Sequence, residues 1–544
     1  MLNLKHTFQL QRKNILTIFL AAAFIWSLFA VTWSEDLVHS GGLATIKQVL
    51  VALIHPNLSQ EIIQLAIEST WITLAYAVCG MTLAIVIAFF LGIFASGILH
   101  EHKGSKLISK GIFRGILGFL RAIHELVWAL IFVAIFGLSP LSAILALGIP
   151  YGGILGRIFA DMLNDVPKEP IQALRSSGAS KLQCLLYGYF PLVRANIISY
   201  TMYRFECAIR SSAIMSFVGL GGLGFQIQLS LNDLKYDEVW TFLFFLIGIV
   251  VLVDSCSVHI RKGMHEAKKG FTFVTFFSLL TIVLMVLSWG FIFIFEQASL
   301  KDLLSEKNAY YAQKFFAGLF GIGGVEQPAF LSSESWKEAL KLTYETLRMS
   351  VMAIGFSTIA MFLTVIPAAR NIADGSLTLI RKWYNWLLFG FVRMSYIFSR
   401  AIPELVWAMI IVFILKPGIL PGAIALALHN FGILGKLCAE VIEDLDERPV
   451  RNLASSGASK SQILLYAVLP AVMPQFLMYI LYRWEVIMRT TIVVGFVGAG
   501  GLGQQFKMSL SFFHYTDVTL LLLCYCILVF IADFISEAAR KAAK

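Results

Sequence analysis

The chain has 544 residues, 58% of them hydrophobic and 14% charged, with a formal net charge of +10. So small a charged fraction, against about 25% in ordinary soluble domains, excludes a water-soluble fold and predicts an all-α integral membrane protein. The Lys/Arg excess then reads as loop charge on one side of a bilayer and not as a nucleic-acid surface.

In chain order, apolar runs near the ~20 residues that cross a bilayer fall at about 15–33, 70–97, 116–137, 141–160, 192–218 and 239–258. A second set follows at about 271–295, 345–367, 385–415, 420–438, 471–498 and 517–535. This predicts about 12 transmembrane helices, six per half. The first run, preceded by Arg12 and Lys13, has no small-x-small cleavage site after it and reads as an uncleaved anchor. Lys5, Arg12 and Lys13, then Lys103, Lys106, Lys110 and Arg114, Arg261, Lys262, Lys268 and Lys269, and finally Arg540, Lys541 and Lys544 would all lie inside. Both termini are therefore expected in the cytoplasm of a multi-pass protein of the plasma (inner) membrane, with 34–66 and 296–342 outside. The seven cysteines form no CxxC pair, so neither a disulfide framework nor a metal site is indicated.

The two sets are copies. RAIHELVW at Arg121–Trp128 returns as RAIPELVW at Arg400–Trp407, SSGASK at Ser176–Lys181 as Ser455–Lys460, and FVGLGGLG at Phe217–Gly224 as FVGAGGLG at Phe496–Gly503. Each pair stands 279 residues apart, without a gap as far as Asp254/Asp533 and Arg261/Arg540. A fixed period over so long a stretch means two copies of one unit, here 1–265 and 266–544. With an even number of spans in each, both would have the same orientation, as in parallel repeats.

Between the fourth and fifth spans of each half lies a polar loop, Asp161–Pro191 and Glu440–Pro470. Pro170 and Pro449 suit a first helical turn, and Ile171 with Leu174, like Val450 with Leu453, fall three apart on one face. Gly178 and Gly457 follow, where a helix would stop and the backbone turn through positive φ. The expectation is a short amphipathic helix, a glycine break and a second helix returning to the membrane. Two equivalent docking helices fit a dimeric cytoplasmic partner, through Leu174, Ser176, Gly178 and Ala179, and Leu453, Ser455, Gly457 and Ala458.

These loops resemble the coupling loop of ABC-importer permeases, with its glycine and closing Leu-Pro-like end matched by Gly178 with Phe190-Pro191 and by Gly457 with Leu469-Pro470. The opening acid of that pattern is replaced by Gln172-Ala173-Leu174 and Arg451-Asn452-Leu453. ELVWA, GILGR/GILGK, SSGASK with LLYG or LLYA, and the YRFE/YRWE-to-glycine run are similar to the permease of phosphonate importers, over about 68–262 and 345–541. The resemblance implies tandem importer transmembrane domains in one chain and an extracytoplasmic binding protein. It also implies two partner ATPase domains, which would bind ATP and Mg, and phosphonate or a related oxyanion such as phosphite as cargo. The chain itself would hold no cofactor and catalyse no covalent step. It contains no G-x-x-x-x-G-K-[ST] loop, and the glycines at Gly219–Gly224 follow an apolar helix and lack a βαβ setting.

Charges within apolar spans are functional candidates. Arg121, Glu125, Arg204 and Glu206, repeated as Arg400, Glu404, Arg483 and Glu485, read as ion pairs, with Arg121/Glu125 and Glu206/Arg210 at i,i+4 on one helix face. Arg210 beside Ser211-Ser212, and Arg489 beside Thr490-Thr491, have the donors to bind a tetrahedral oxyanion and are candidates for the substrate pathway. Their rival role is counter-charge to Glu206 and Glu485. His124, where the second half has Pro403, breaks the symmetry and reads as a packing histidine before a proton relay. Internal repeats also occur in secondary transporters, and an importer of a different small oxyanion fits the same pattern; the paired SSGASK loops favour the ATP-driven reading.

Overall fold

The computed structural model describes residues 2–31, 33, 37–100, 102–265, 270–322, 327–375 and 382–543. Part of the join expected at Arg261–Gly270, and the side chains of Lys5, Arg12, Lys13, Arg261, Lys262, Lys268, Lys269 and Lys544, lie outside the described residues. Within them every regular element is helical, apart from one isolated bridge between Val38 and Leu415.

Helix α1 (Leu2–Leu28) precedes the first repeat. That repeat runs α2 (Gln60–Ser96), α3 (Lys103–Ala122), α4 (Glu125–Phe136), α5 (Pro140–Asn164), α6 (Lys168–Ser176), α7 (Phe190–Met215), α8 (Leu223–Asn232) and α9 (Tyr236–His265). After α10 (Gly270–Gly290) the second repeat runs α11 (Ser333–Thr364), α12 (Trp383–Ala401), α13 (Glu404–Ile414), α14 (Ile419–Glu443), α15 (Arg448–Ser455), α16 (Leu469–Val494), α17 (Gly501–Ser511) and α18 (Tyr515–Ala543). Among the described residues, seven helices are long and apolar enough to cross a membrane, and up to ten spans result if each of three bent helix pairs counts as one. The helices that open the two halves, Asn14–Leu28 and Leu279–Phe295, are apolar but shorter among the described residues, which is where the expected twelve and the observed ten part.

Two compact units divide the chain: Val51–Ala317, and Met1–Leu50 together with Gly318–Lys544. The line between them is not the line between the copies, because the helix that opens each half packs in the unit of the other repeat. In the second repeat's unit the Phe24 ring of α1 lies against Gly355, where an added Cβ would meet Phe24 Cδ2 at 1.9 Å. Phe24 also meets Phe356 edge-on at 5.5 Å, and Trp26 meets Tyr344 at 5.6 Å. In the other unit, the π-helical turn that extends α10 places Ile292 in the core with Tyr76, Met81 and Leu147, while Phe291 meets Trp71 edge-on at 6.1 Å.

Each unit is built around its fourth-segment helix, α5 or α14. On α5 the glycines recur every four residues, at Gly148, Gly152 and Gly156, so they form one smooth face. Cβ atoms on the three would stand 2.6 Å from Leu83, 2.7 Å from Ile87 and 2.7 Å from Leu117. Glycine there leaves room for the Leu83 and Ile87 side chains of α2 and the Leu117 side chain of α3 to seat against the α5 backbone, and such dispersion contacts replace the hydrophobic driving force that lipid does not supply.

Candidate functional site

The polar loops fold alike in the two repeats. On α6, Ile171 is buried, and it and Leu174 close over Gly188, where a Cβ would lie 2.7 and 2.9 Å from their Cδ1 atoms. On α15, Val450 is fully buried and Leu453 packs beside it. Both helices end as expected: Gly178 has φ of 82° and Gly457 of 83°. The two orphan carbonyls of the last turn are satisfied by the residues of the turn itself. Ala179 N–H donates to Leu174 O at 3.1 Å and Gly178 N–H to Arg175 O at 3.0 Å, repeated as Ala458 to Leu453 at 3.1 Å and Gly457 to Ala454 at 3.0 Å. The chain then re-enters helix at Ser180 and Ser459, whose N–H groups donate to Gln183 Oε1 at 2.7 Å and Gln462 Oε1 at 2.8 Å. A π-helical turn follows in each copy, leaving Leu186-Tyr187 and Leu465-Tyr466 exposed. Ser176 and Ser455 are exposed as well.

The third segment of each half is not one helix. It bends by 87° between α3 and α4 and by 94° between α12 and α13. Arg121 closes the last turn of α3 while Glu125 is the first residue of α4, and Arg400 and Glu404 are divided in the same way. The expected i,i+4 stacking of these pairs on one face is therefore corrected, since an i,i+4 neighbourhood exists only along a continuous helix. Each carboxylate stands at the N-terminus of the following helix, where the exposed N–H dipoles favour negative charge. Glu125 accepts a hydrogen bond from Ser211 Oγ, which is also 2.9 Å from Tyr151 Oη. His124 Nε2 stands 3.5 Å from Glu125, and His429 Nε2 stands 3.5 Å from Glu404.

The glycine run is a turn. Gly219, Gly221 and Gly222, like Gly498, Gly500 and Gly501, all have positive φ, between 67° and 95°. It is held from outside by one threonine in each unit: Thr73 Oγ1 accepts Leu223 N–H at 2.9 Å, and Thr346 Oγ1 accepts Leu502 N–H at 2.9 Å. Gly224 and Gly503 then sit where a Cβ would lie 1.8 Å from Ala213 O and 2.1 Å from Ile492 O, so they can only be glycine.

The remaining charges join helices. Arg204 donates from Nε and Nη2 to Tyr200 Oη at 2.9 and 2.7 Å and lies over the Tyr200 and Tyr203 rings. Its counterpart Arg483 donates instead to Asn430 Oδ1, at 2.9 Å from Nε. Arg210 Nη2 is 3.7 Å from Glu206 Oε1 and 3.5 Å from Cys207 Sγ. Arg489 pairs with Glu485 on its own helix and with Asp533 of α18, and Arg540 reaches Glu485 Oε2 at 3.0 Å. Asp533, Arg489, Glu485 and Arg540 thus form a chain of alternating charges that links α16 and α18. The hydroxyls beside the arginines are engaged within their own repeats. Ser212 donates to Thr73 O at 2.8 Å, Thr490 to Ile487 O at 3.1 Å and Thr491 to Met488 O at 2.7 Å.

Thr73, Thr346, Tyr151, Asn430 and His429 were not singled out in the sequence, and Asp533 and Arg540 were read there only as matched positions and loop charge. Thr73 and Thr346 stand outside the 279-residue period, six residues short of it, so the matched register passes them by.

The sequence model of the family described as "Binding-protein-dependent transport system inner membrane component" matches residues 97–296 and 375–543. The chain is 27% identical over 518 residues to the phosphate-import permease protein PhnE of Mycolicibacterium smegmatis, covering 94% of this chain and 92% of that one. It is 37% identical over 219 residues to the phosphite transport system permease protein PtxC of Stutzerimonas stutzeri, covering 40% of this chain and 75% of that one. It is 38% identical over 118 residues to the putative cryptic phosphonate transport system permease protein PhnE2 of Escherichia coli, covering 22% of this chain and 97% of that one.

Proposed function

The chain belongs to the binding-protein-dependent transport system inner membrane components, and from that membership we propose that it is the permease through which an ATP-driven importer passes phosphate, phosphite or a phosphonate into the cytoplasm. The observation that carries the cargo class is the likeness, over almost the whole length of both chains, to a phosphate-import permease. Shorter matches to permeases named for phosphite and phosphonate transport support the same class. As a permease it moves a solute and transforms none.

The chain supplies both transmembrane domains, 1–265 and 266–544 as duplicated segments. It crosses the inner membrane twelve times if each bent pair is one span and the two short apolar opening helices span too, with both termini in the cytoplasm. Two ATPase domains, which bind ATP and Mg, dock on the α6 and α15 loops, and an extracytoplasmic binding protein delivers the anion. Matching helix, glycine cap and exposed Leu-Tyr pair in the two loops support equivalent docking. Arg210 with Ser211 and Ser212, and Arg489 with Thr490 and Thr491, are the charged groups by which an anion would pass, and it would compete there with Glu206, Glu485 and Asp533.

The test is uptake by the complete complex in proteoliposomes, with labelled phosphate, phosphite and methylphosphonate offered separately with their binding protein. Uptake of at least one, dependent on ATP, is expected. A complex that hydrolyses ATP yet admits none of the three would overturn the cargo assignment.

A further inference from the structure

In each repeat a carboxylate at the sharp break has an imidazole beside it, but the imidazole comes from a different place. Glu125 has His124, its chain neighbour and the cap of α4, with Nε2 at 3.5 Å; Glu404 has His429, carried by α14, also at 3.5 Å. The matched positions are exchanged. Where the first repeat has His124 the second has Pro403, and where the second has His429 the first has Pro150, both 279 residues apart.

Either arrangement fits either backbone. His124 has φ of −66° and ψ of 146°, Pro403 has φ of −59° and ψ of 149°, and the residue before each is extended, as proline requires. Pro150 lies inside α5 and His429 inside α14. The two helices cross the break in the same way: a Cβ on Gly153 would lie 3.0 Å from Arg121 N, and one on Gly432 2.8 Å from Arg400 N. Pro150 and His429 each stand three residues before that crossing glycine, so a histidine at 150 would face Glu125 as His429 faces Glu404. Both histidines are buried. The secondary hydrogen bonds differ, with His124 Nδ1 accepting Leu126 N–H at 3.2 Å and His429 Nδ1 lying 2.9 Å from Ile402 O. What the two repeats share is the imidazole–carboxylate contact.

We propose that this contact is a single positioning element of the transport cycle, needed at the break of each repeat, and that the residue delivering the imidazole is interchangeable between the break and the crossing helix. His124 and His429 act through Glu125 and Glu404, setting the carboxylate at the N-terminus of the helix that starts there. The reading of the chain as an importer permease underlies this, but not the identity of its cargo.

The experiment compares ATP hydrolysis by the complete complex in lipid nanodiscs with the melting temperature of the same samples. His124→Pro should lower the rate about tenfold, within the range of coupling seen for buried contacting pairs, while the melting temperature moves by less than about 3 °C. Adding Pro150→His should restore the rate to within about threefold of wild type. Pro403→His with His429→Pro should likewise be tolerated where His429→Pro alone is not. An unchanged rate in His124→Pro overturns the proposal; so does failure of the exchanged pair to recover, or a rate that follows melting temperature across the set. Failure of the wild-type complex to import any phosphorus anion would sink the cargo assignment and leave this comparison intact.

Discussion

Arg489 Nη2 lies 3.0 Å from Asp533 Oδ1, and this contact joins α16, which follows the second polar loop, to α18. Arg489 also neutralises Glu485, so its removal would leave the buried Glu485 with Arg540 and take from Asp533 its contact with Arg489. Breaking a buried set by deleting one partner costs about 3–5 kcal/mol, whereas removing a matched pair is far milder. Arg489→Met should therefore aggregate or melt early in detergent, and Arg489→Met with Asp533→Leu should recover most of that loss, because Glu485 and Arg540 still balance. Thermal unfolding of the purified variants measures both. If the single variant melts like wild type while uptake fails, Arg489 serves the anion path first.

The threonine clasp on the glycine turn gives a second expectation. Thr346→Val keeps the shape of the side chain but leaves Leu502 N–H buried without its acceptor, a loss of about 1–3 kcal/mol. Thr346→Ser should stay near wild type. The ordering of melting temperatures wild type, Ser, Val is the readout, and a valine variant as stable as the serine one contradicts the clasp.

At the loops that begin with α6 and α15, space and conformation point in opposite directions. A side chain at Gly178 or Gly457 would meet nothing within 4 Å, yet the backbone φ is 82° and 83°. Valine resists positive φ and asparagine tolerates it. The double Gly→Val variant should insert normally but lose substrate-stimulated ATP hydrolysis, while the double Gly→Asn variant should keep most of it. Full stimulation in the valine variant would show that the turn geometry does not matter to coupling.

Stoichiometry follows from duplication. One copy of this 60.5 kDa chain should be present in each complex, with two ATPase domains and no second permease. Native mass spectrometry of the purified complex reads this directly, and two copies of the chain would refute it.

The loops were legible because their geometry is written locally. A glycine that must take positive φ, a proline in a first turn and two apolar residues three apart each specify a conformation without help from the rest of the fold. The breaks at Ile123-His124 and Ile402-Pro403 were read through, since the apolar run continues across them and hydropathy does not see direction. Pro403 was the available signal: it sits where a new helix starts, and its counterpart His124 caps one. The chain of charges formed by Asp533, Arg489, Glu485 and Arg540 was half visible. The i,i+4 pair lies in one helix, but its other half depends on α18 crossing α16, which no spacing along the sequence reports.

The helices that open each half carry a consequence for how the protein is made. Phe24 leaves the ribosome long before Gly355, its partner, is synthesised, and α1 also packs against α18, the last helix to emerge. The unit containing α1 cannot close during translation of its own neighbourhood; it must hold an unpaired helix in lipid until the terminus arrives. A chain severed at the join between the copies would yield two fragments, each bearing the opening helix that the other requires. Neither should mature alone, and both together should complement, as parts exchanged between two gene products.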